Sequence, residues 1–168
     1  VTTTKSLFSS HASNPDILFT FQEITRCIKY MNMHMLSMCL SILKIQGNKM
    51  QISAAGMPPA LLYRNKTKSV EEIILKGMPL GAVQDFPYEL RQTEIYSGDT
   101  ILLMSDGFPE MFNKDKELFG YERVIETYQQ AADKNPEEII RKLKNAGSEW
   151  SQSDTPDDDV TFVVIKVK

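Results

Sequence analysis

The chain has 168 residues, 42% of them hydrophobic and 24% charged, with a formal net charge of −3. That balance describes a globular chain long enough for one sizeable core, and the absence of a long basic run excludes a nucleic-acid surface as the main partner. No apolar run reaches the roughly 18 residues that a membrane-spanning helix needs, so none is expected to cross a bilayer. Cys27 and Cys39 sit in apolar contexts without metal-ligand spacing and read as reduced core thiols of a cytoplasmic protein.

In chain order, residues 1–8 read as the tail of a helix whose beginning is absent. Asn14 is the expected cap of a second helix with Pro15 in its first turn, and Ile17, Phe21, Ile24 and Ile28 recur along one face. Residues 35–45 and 49–54 read as strands joined by Gln46-Gly47-Asn48. After the break at Pro58-Pro59, residues 60–64 are expected to pair with 71–75 across a polar turn, continuing an antiparallel meander. A second break, Gly77-Met78-Pro79-Leu80-Gly81, precedes strands at 88–96 and 100–105, with the turn Ser97-Gly98-Asp99 between them. Helices follow at 117–130 and from Asn135-Pro136 onward, the second placing Ile139, Ile140, Leu143 and Trp150 inward. The polar stretch 151–156 leads to a last strand at 160–165. The class is α+β, helices on largely antiparallel sheet, and no repeat or linker divides 1–168 into more than one domain.

The chemistry concentrates in two acidic places. Asp106 ends the apolar run Ile101-Leu102-Leu103-Met104 and is followed by Gly107, while Asp157-Asp158-Asp159 stands just before the terminal strand. A carboxylate at the tip of a buried strand needs a cation or donors, and crowded like charge is relieved by a divalent ion. Each tip read alone is more simply ordinary turn chemistry or a solvated loop. Together they point to a hard-metal site where two strands share a rim. Met31, Met33, Met35 and Met38 beside His34 read as adaptable packing rather than a soft-metal box, and His11 and His34 lack partners at ligand spacing.

The ordered blocks Ala54 to Arg64, Gly77-Met78-Pro79-Leu80-Gly81, Ser97 to Gly107, Leu118-Phe119-Gly120 and Asp158-Asp159-Val160-Thr161 resemble the SpoIIE/RsbU-like branch of the metal-dependent (PPM, type 2C) protein serine/threonine phosphatases. The resemblance runs from about Ile17 to the C-terminus. It implies a four-layer α-β-β-α sandwich with two manganese or magnesium ions, whose charge activates a water for attack on a phosphoserine or phosphothreonine. By position it makes Asp106 and Asp158 metal ligands and gives Asp159 and Gly107 supporting roles, with Asp157 solvated.

The same resemblance marks two departures. Met57 stands where the family usually has histidine after Ala-Gly. More consequentially, the branch opens with a Gly-Asp pair and an Asp-Val-x-Gly-His-Gly-like segment that bridge both metals, whereas the first glycine here is Gly47. The chain therefore reads as a phosphatase domain without its N-terminal third, inactive or nearly so alone and prone to self-association through uncovered sheet. The implied partner is a phosphorylated regulatory protein, in this branch often a STAS-type anti-sigma-factor antagonist. The alternative is a non-catalytic binding or dimerisation module on the same fold.

Overall fold

The computed structural model describes residues 2–31, 37–152 and 158–168. It is α+β with two antiparallel sheets, and its contacts cluster in two compact units: Val1–Met57 with Leu75–Glu94, and Pro58–Ile74 with Ile95–Lys168.

The first unit holds α1 (Thr2–His11), α2 (Ile17–Tyr30), β1 (Leu40–Gln46), β2 (Lys49–Ala55) and a later strand, Arg91–Glu94, in the order β1, β2, then that strand. The α2 side chains Ile17, Phe21, Ile24 and Ile28 are buried on one face, as their spacing predicts, and cluster with Ile42, Ala55, Leu80 and Tyr88. The cap differs from expectation. Asp16, not Asn14, closes the helix start, accepting from the backbone N–H groups of Leu18 and Phe19 at 2.8 and 3.2 Å. Asn14 instead accepts from the backbone N–H of Asp16 at 2.8 Å, folding the entry turn that places the capping carboxylate.

The second unit is built on β3 (Ala60–Arg64), β4 (Ser69–Ile73), β6 (Thr100–Met104) and β7 (Phe162–Lys166), with sheet order β4, β3, β6, β7, the Arg91–Glu94 strand of the first unit being β5. Central β3 and β6 are almost wholly buried, matching their continuous apolar runs. Leu61, Tyr63, Leu102 and Met104 form one core with Val124 and Tyr128 of α3 (Gly120–Gln129) and Ile139 and Leu143 of α4 (Pro136–Ser151). Burying each of these large apolar side chains stabilises the unit by about 1.5–3 kcal/mol. Asn135 caps α4, accepting from the Glu138 N–H at 2.9 Å, with Pro136 in the first turn as expected.

Several expectations are corrected. The two hairpins are not one meander: β1–β2 joins one sheet and β3–β4 the other, because Pro58 and Pro59 cannot carry a ladder between them. The strand expected over 88–96 is only Arg91–Glu94, and β4 begins at Ser69, the turn having tightened around Lys68 at φ 57°. The helix expected from residue 117 starts at Gly120, since Asn113 binds the preceding loop, accepting from the N–H groups of Asp115 and Glu117 at 2.9 Å each. Cys39 is exposed rather than core, and neither cysteine is in a disulfide. Of the strand expected from residue 35, positions 35 and 36 lie outside the described residues, as do Met33, His34 and Asp157, and β1 starts at Leu40.

Candidate metal centre

Strands β6 and β7 are antiparallel neighbours in which Met104 faces Phe162, so the chain leaving β6 meets the chain entering β7. Asp106 lies two residues beyond that pair on one strand; Asp158 and Asp159 lie four and three residues before it on the other. Ser105 joins the two segments. Its backbone N–H donates to the Thr161 carbonyl at 3.1 Å, its hydroxyl donates to the Asp159 carbonyl at 2.9 Å, and that hydroxyl accepts from the Thr161 N–H at 2.9 Å. Three hydrogen bonds thus continue the sheet past its last formal pair and fix both acidic tips to each other.

Gly107 completes the junction by having no side chain. A Cβ there would stand 2.7 Å from the Asp159 carbonyl oxygen and 3.4 Å from the Asp158 carbonyl carbon, so any other residue would push the tips apart. Beyond it the chain turns back, the Glu110 N–H donating to the Asp106 carbonyl at 3.0 Å. Phe108, 1% exposed, anchors this turn with ring contacts to Phe119 and Phe162 at 5.0 and 4.8 Å between centroids. A rigid buried turn therefore presents an exposed aspartate.

The carboxylates of Asp106, Asp158 and Asp159 are all exposed, and no salt bridge to any of them forms among the described residues. Asp158 spends one oxygen on its own loop, accepting from the Asp159 N–H at 2.7 Å. Tyr121 faces this region: burial raises the pKa of its hydroxyl, and the negative charges of Glu110 and Asp106 raise it further. All-oxygen carboxylate donors suit magnesium or manganese rather than a soft metal. Ser105 and Gly107 bring close together the backbone segments that carry these carboxylates. No group of three or more histidine, cysteine, aspartate or glutamate side chains able to hold a metal forms among the described residues.

The other end of β6 is built differently. Asp99, 2% exposed, accepts from the backbone N–H groups of Asn65 and Tyr96 at 2.9 and 3.1 Å and pairs with Arg64 at 3.2 Å. The Tyr128 hydroxyl donates to the Thr100 carbonyl and the Thr100 hydroxyl to the Ala132 carbonyl, both at 2.8 Å. These bonds hold the strand that delivers Asp106.

The fold is that of PP2C-type phosphatase domains. Structures similar to this chain include the SiaA-PP2C domain of Pseudomonas aeruginosa, with TM-score 0.80 and 15% identity over 98% of this chain and 65% of that one. A second is the PP2C phosphatase domain of SpoIIE from Bacillus subtilis with a fragment of its regulatory domain, with TM-score 0.74 and 21% identity over 96% of this chain and 48% of that one. The family description of stage II sporulation protein E (SpoIIE) matches residues 2–168, and the chain belongs to that family. In sequence it is 26% identical over 134 residues to stage II sporulation protein E of Bacillus subtilis (strain 168), covering 76% of this chain and 15% of that protein. It is 34% identical over 58 residues to phosphoserine phosphatase RsbU of the same organism, covering 34% of this chain and 17% of that protein. The chain thus spans less than a fifth of the length of these curated relatives.

The expected site residues Asp106, Gly107, Asp158 and Asp159 all fall at this one junction, and Asp157, expected to be solvated, lies outside the described residues. Sequence reasoning assigned no role to Ser105 or to the neighbours Glu110 and Tyr121. A serine beside the acidic tip was the available signal, since a hydroxyl there can serve both strands. Nothing in the spacing singled out Tyr121, which reaches the site from α3.

Proposed function

We propose that this chain contributes to the catalytic domain of a metal-dependent protein serine/threonine phosphatase. The observation that carries the reading is the Ser105 and Gly107 junction, which brings Asp106 together with Asp158 and Asp159 on a PP2C-type fold. Asp106 and Asp158 would hold manganese or magnesium, and Asp159 would orient the loop between them. Such ions supply the charge that lowers the pKa of an attacking water and stabilises phosphoryl oxygens. The chain's own contribution is positional: Ser105 fixes the distance between tips, Gly107 permits their approach, and Phe108 prevents the turn from relaxing. Two of the compared proteins carry phosphatase names, one of them for phosphoserine, which supports a phosphoserine-bearing protein as the substrate; we extend the reading to a STAS-type regulatory protein met in the cytoplasm.

Residues 1–168 alone are expected to be inactive, because too few carboxylates converge to hold two ions. That same observation favours a second reading, a binding or self-associating module that keeps the fold without the chemistry. Manganese-dependent hydrolysis of p-nitrophenyl phosphate separates the two, measured on residues 1–168 and on a protein extended upstream, each with and without Asp106→Asn. The phosphatase reading expects activity only in the extended protein and its loss in the variant. Extended protein that hydrolyses nothing under any metal would leave the binding module standing, and activity of residues 1–168 abolished by Asp106→Asn would overturn the expectation of inactivity.

A further inference from the structure

The turn that carries Asp106 also forms a wall of a cleft of about 580 Å³, a size within the range of ligand cavities. Phe108, Met111 and Phe162 make its apolar floor, and Lys144 and Ser148 line it from α4. Asp159, one of the acidic-tip residues, lines it too, so the cleft is continuous with the candidate metal centre. Helix α4 approaches this turn through Gly147, where a Cβ would stand 3.0 Å from the Phe108 ring.

The two stripes of α4 divide the work. Ile139 and Leu143 are wholly buried in the core, whereas Ile140, Lys144 and Ser148, each four residues apart, form the adjacent stripe that lines the cleft. That stripe runs from apolar to cationic to hydroxyl, and no salt bridge to Lys144 forms among the described residues. Asp159 brings an exposed carboxylate to the metal end of the cleft, and Lys144 brings an ammonium to its α4 side. A bound peptide with acidic residues would be repelled at the first place and accepted at the second.

Building on the phosphatase reading, we propose that this cleft receives the residues flanking the phosphoserine of a protein substrate. An apolar side chain lies on the Phe108, Met111 and Phe162 floor, and an acidic side chain pairs with Lys144. The cleft would then select among phosphoproteins by the sequence next to the phosphate, a task the acidic tips cannot perform because every substrate offers them the same phosphoryl group.

The test uses two synthetic phosphoserine peptides, each with leucine next to the phosphoserine, one with glutamate three residues further on and the other with lysine there. Binding to ¹⁵N-labelled residues 1–168 without metal is followed by amide shifts and by titration. The glutamate peptide is expected to perturb Ser148 and Asp159. Lys144→Glu should weaken that peptide about fivefold and strengthen the lysine peptide by a similar factor, the scale of an exposed ion pair made and reversed. Ser148→Phe, at an exposed position that tolerates size, should block both peptides. Equal affinities for the two peptides in Lys144→Glu, or shifts that avoid Ser148, would overturn the proposal. Aryl phosphate hydrolysis by the upstream-extended protein checks the phosphatase reading separately, since that small substrate does not fill the cleft. Loss of hydrolysis with peptide selectivity intact would sink the phosphatase reading alone, and hydrolysis with no cleft-dependent selectivity would sink this proposal alone.

Discussion

The two ends of β6 each carry an aspartate, and they are opposites. Asp99, just before the strand, is buried and accepts three hydrogen bonds, one of them from Arg64. Asp106, just after it, is exposed, and among the described residues its carboxylate has neither donor nor salt bridge. A buried carboxylate is tolerated only when its oxygens are satisfied, so Asp99 is explained completely by the fold it holds together. Asp106 explains nothing about stability, yet the chain spends a serine, a glycine and an anchored phenylalanine to hold it still beside two more carboxylates. Structure without a structural reason is what a ligand site looks like before its ligand is bound.

This contrast breaks first at Asp99. Asp99→Ala strands two backbone N–H groups and removes the buried carboxylate that pairs with Arg64, so unfolding is expected to become easier by about 3 kcal/mol. The midpoint in urea measures it, and a loss below about 1 kcal/mol would mean the buried clamp is not what fixes β6. Gly107→Ala is the next largest. Its Cβ would press on the Asp159 carbonyl at 2.7 Å, and displacing backbone on both strands is expected to cost about 1–3 kcal/mol. The same variant should weaken manganese binding, followed by the electron paramagnetic resonance of the free ion, whereas a variant with unchanged manganese binding would show that the close approach of the tips does not shape the site.

Much of this contrast was legible in the sequence, and what was not has physical causes. The run Ile101-Leu102-Leu103-Met104 announces a buried strand, and an acid at its end stands out because burial there is costly. Helix α2 was legible by its 3.6-residue period, but its cap was not, since Asn14 and Asp16 are both good caps and only the entry turn decides between them. Sheet membership was hidden because hairpins are local and the partners of a hairpin are not: β3 finds β6 nearly forty residues later, across a change of sheet that no spacing encodes. At the site, Asp106 and Asp158 could be guessed as neighbours from their strand ends. Asp99 reads in sequence as a plain turn residue, and its distinction from Asp106 depends on Asn65, Tyr96 and Arg64 arriving from elsewhere.

Two smaller effects sharpen the comparison. Tyr128→Phe removes the hydroxyl that donates to the Thr100 carbonyl next to Asp99, in a fully buried place, and is expected to cost about 1 kcal/mol. If that cost approached zero, the hydrogen bonds around the Asp99 end would be redundant.

Asp106→Asn should have the smallest effect on stability and the opposite sign. Asp106 and Glu110 are four apart on one helical turn, joined by the Glu110 N–H to Asp106 carbonyl bond, so their like charges oppose each other. Removing one charge without metal is expected to stabilise the chain by about 0.2–0.5 kcal/mol, the size of such a pair. Added manganese should then invert the order of the two proteins. An ion that binds only the folded state raises stability by mass action, by about 2.7 kcal/mol when its concentration is a hundred times the dissociation constant. The wild-type unfolding midpoint should therefore climb with manganese while the Asp106→Asn midpoint stays nearly still. Two midpoints that climb together would place the ion elsewhere, and the exposed aspartate at the end of β6 would then need a different partner.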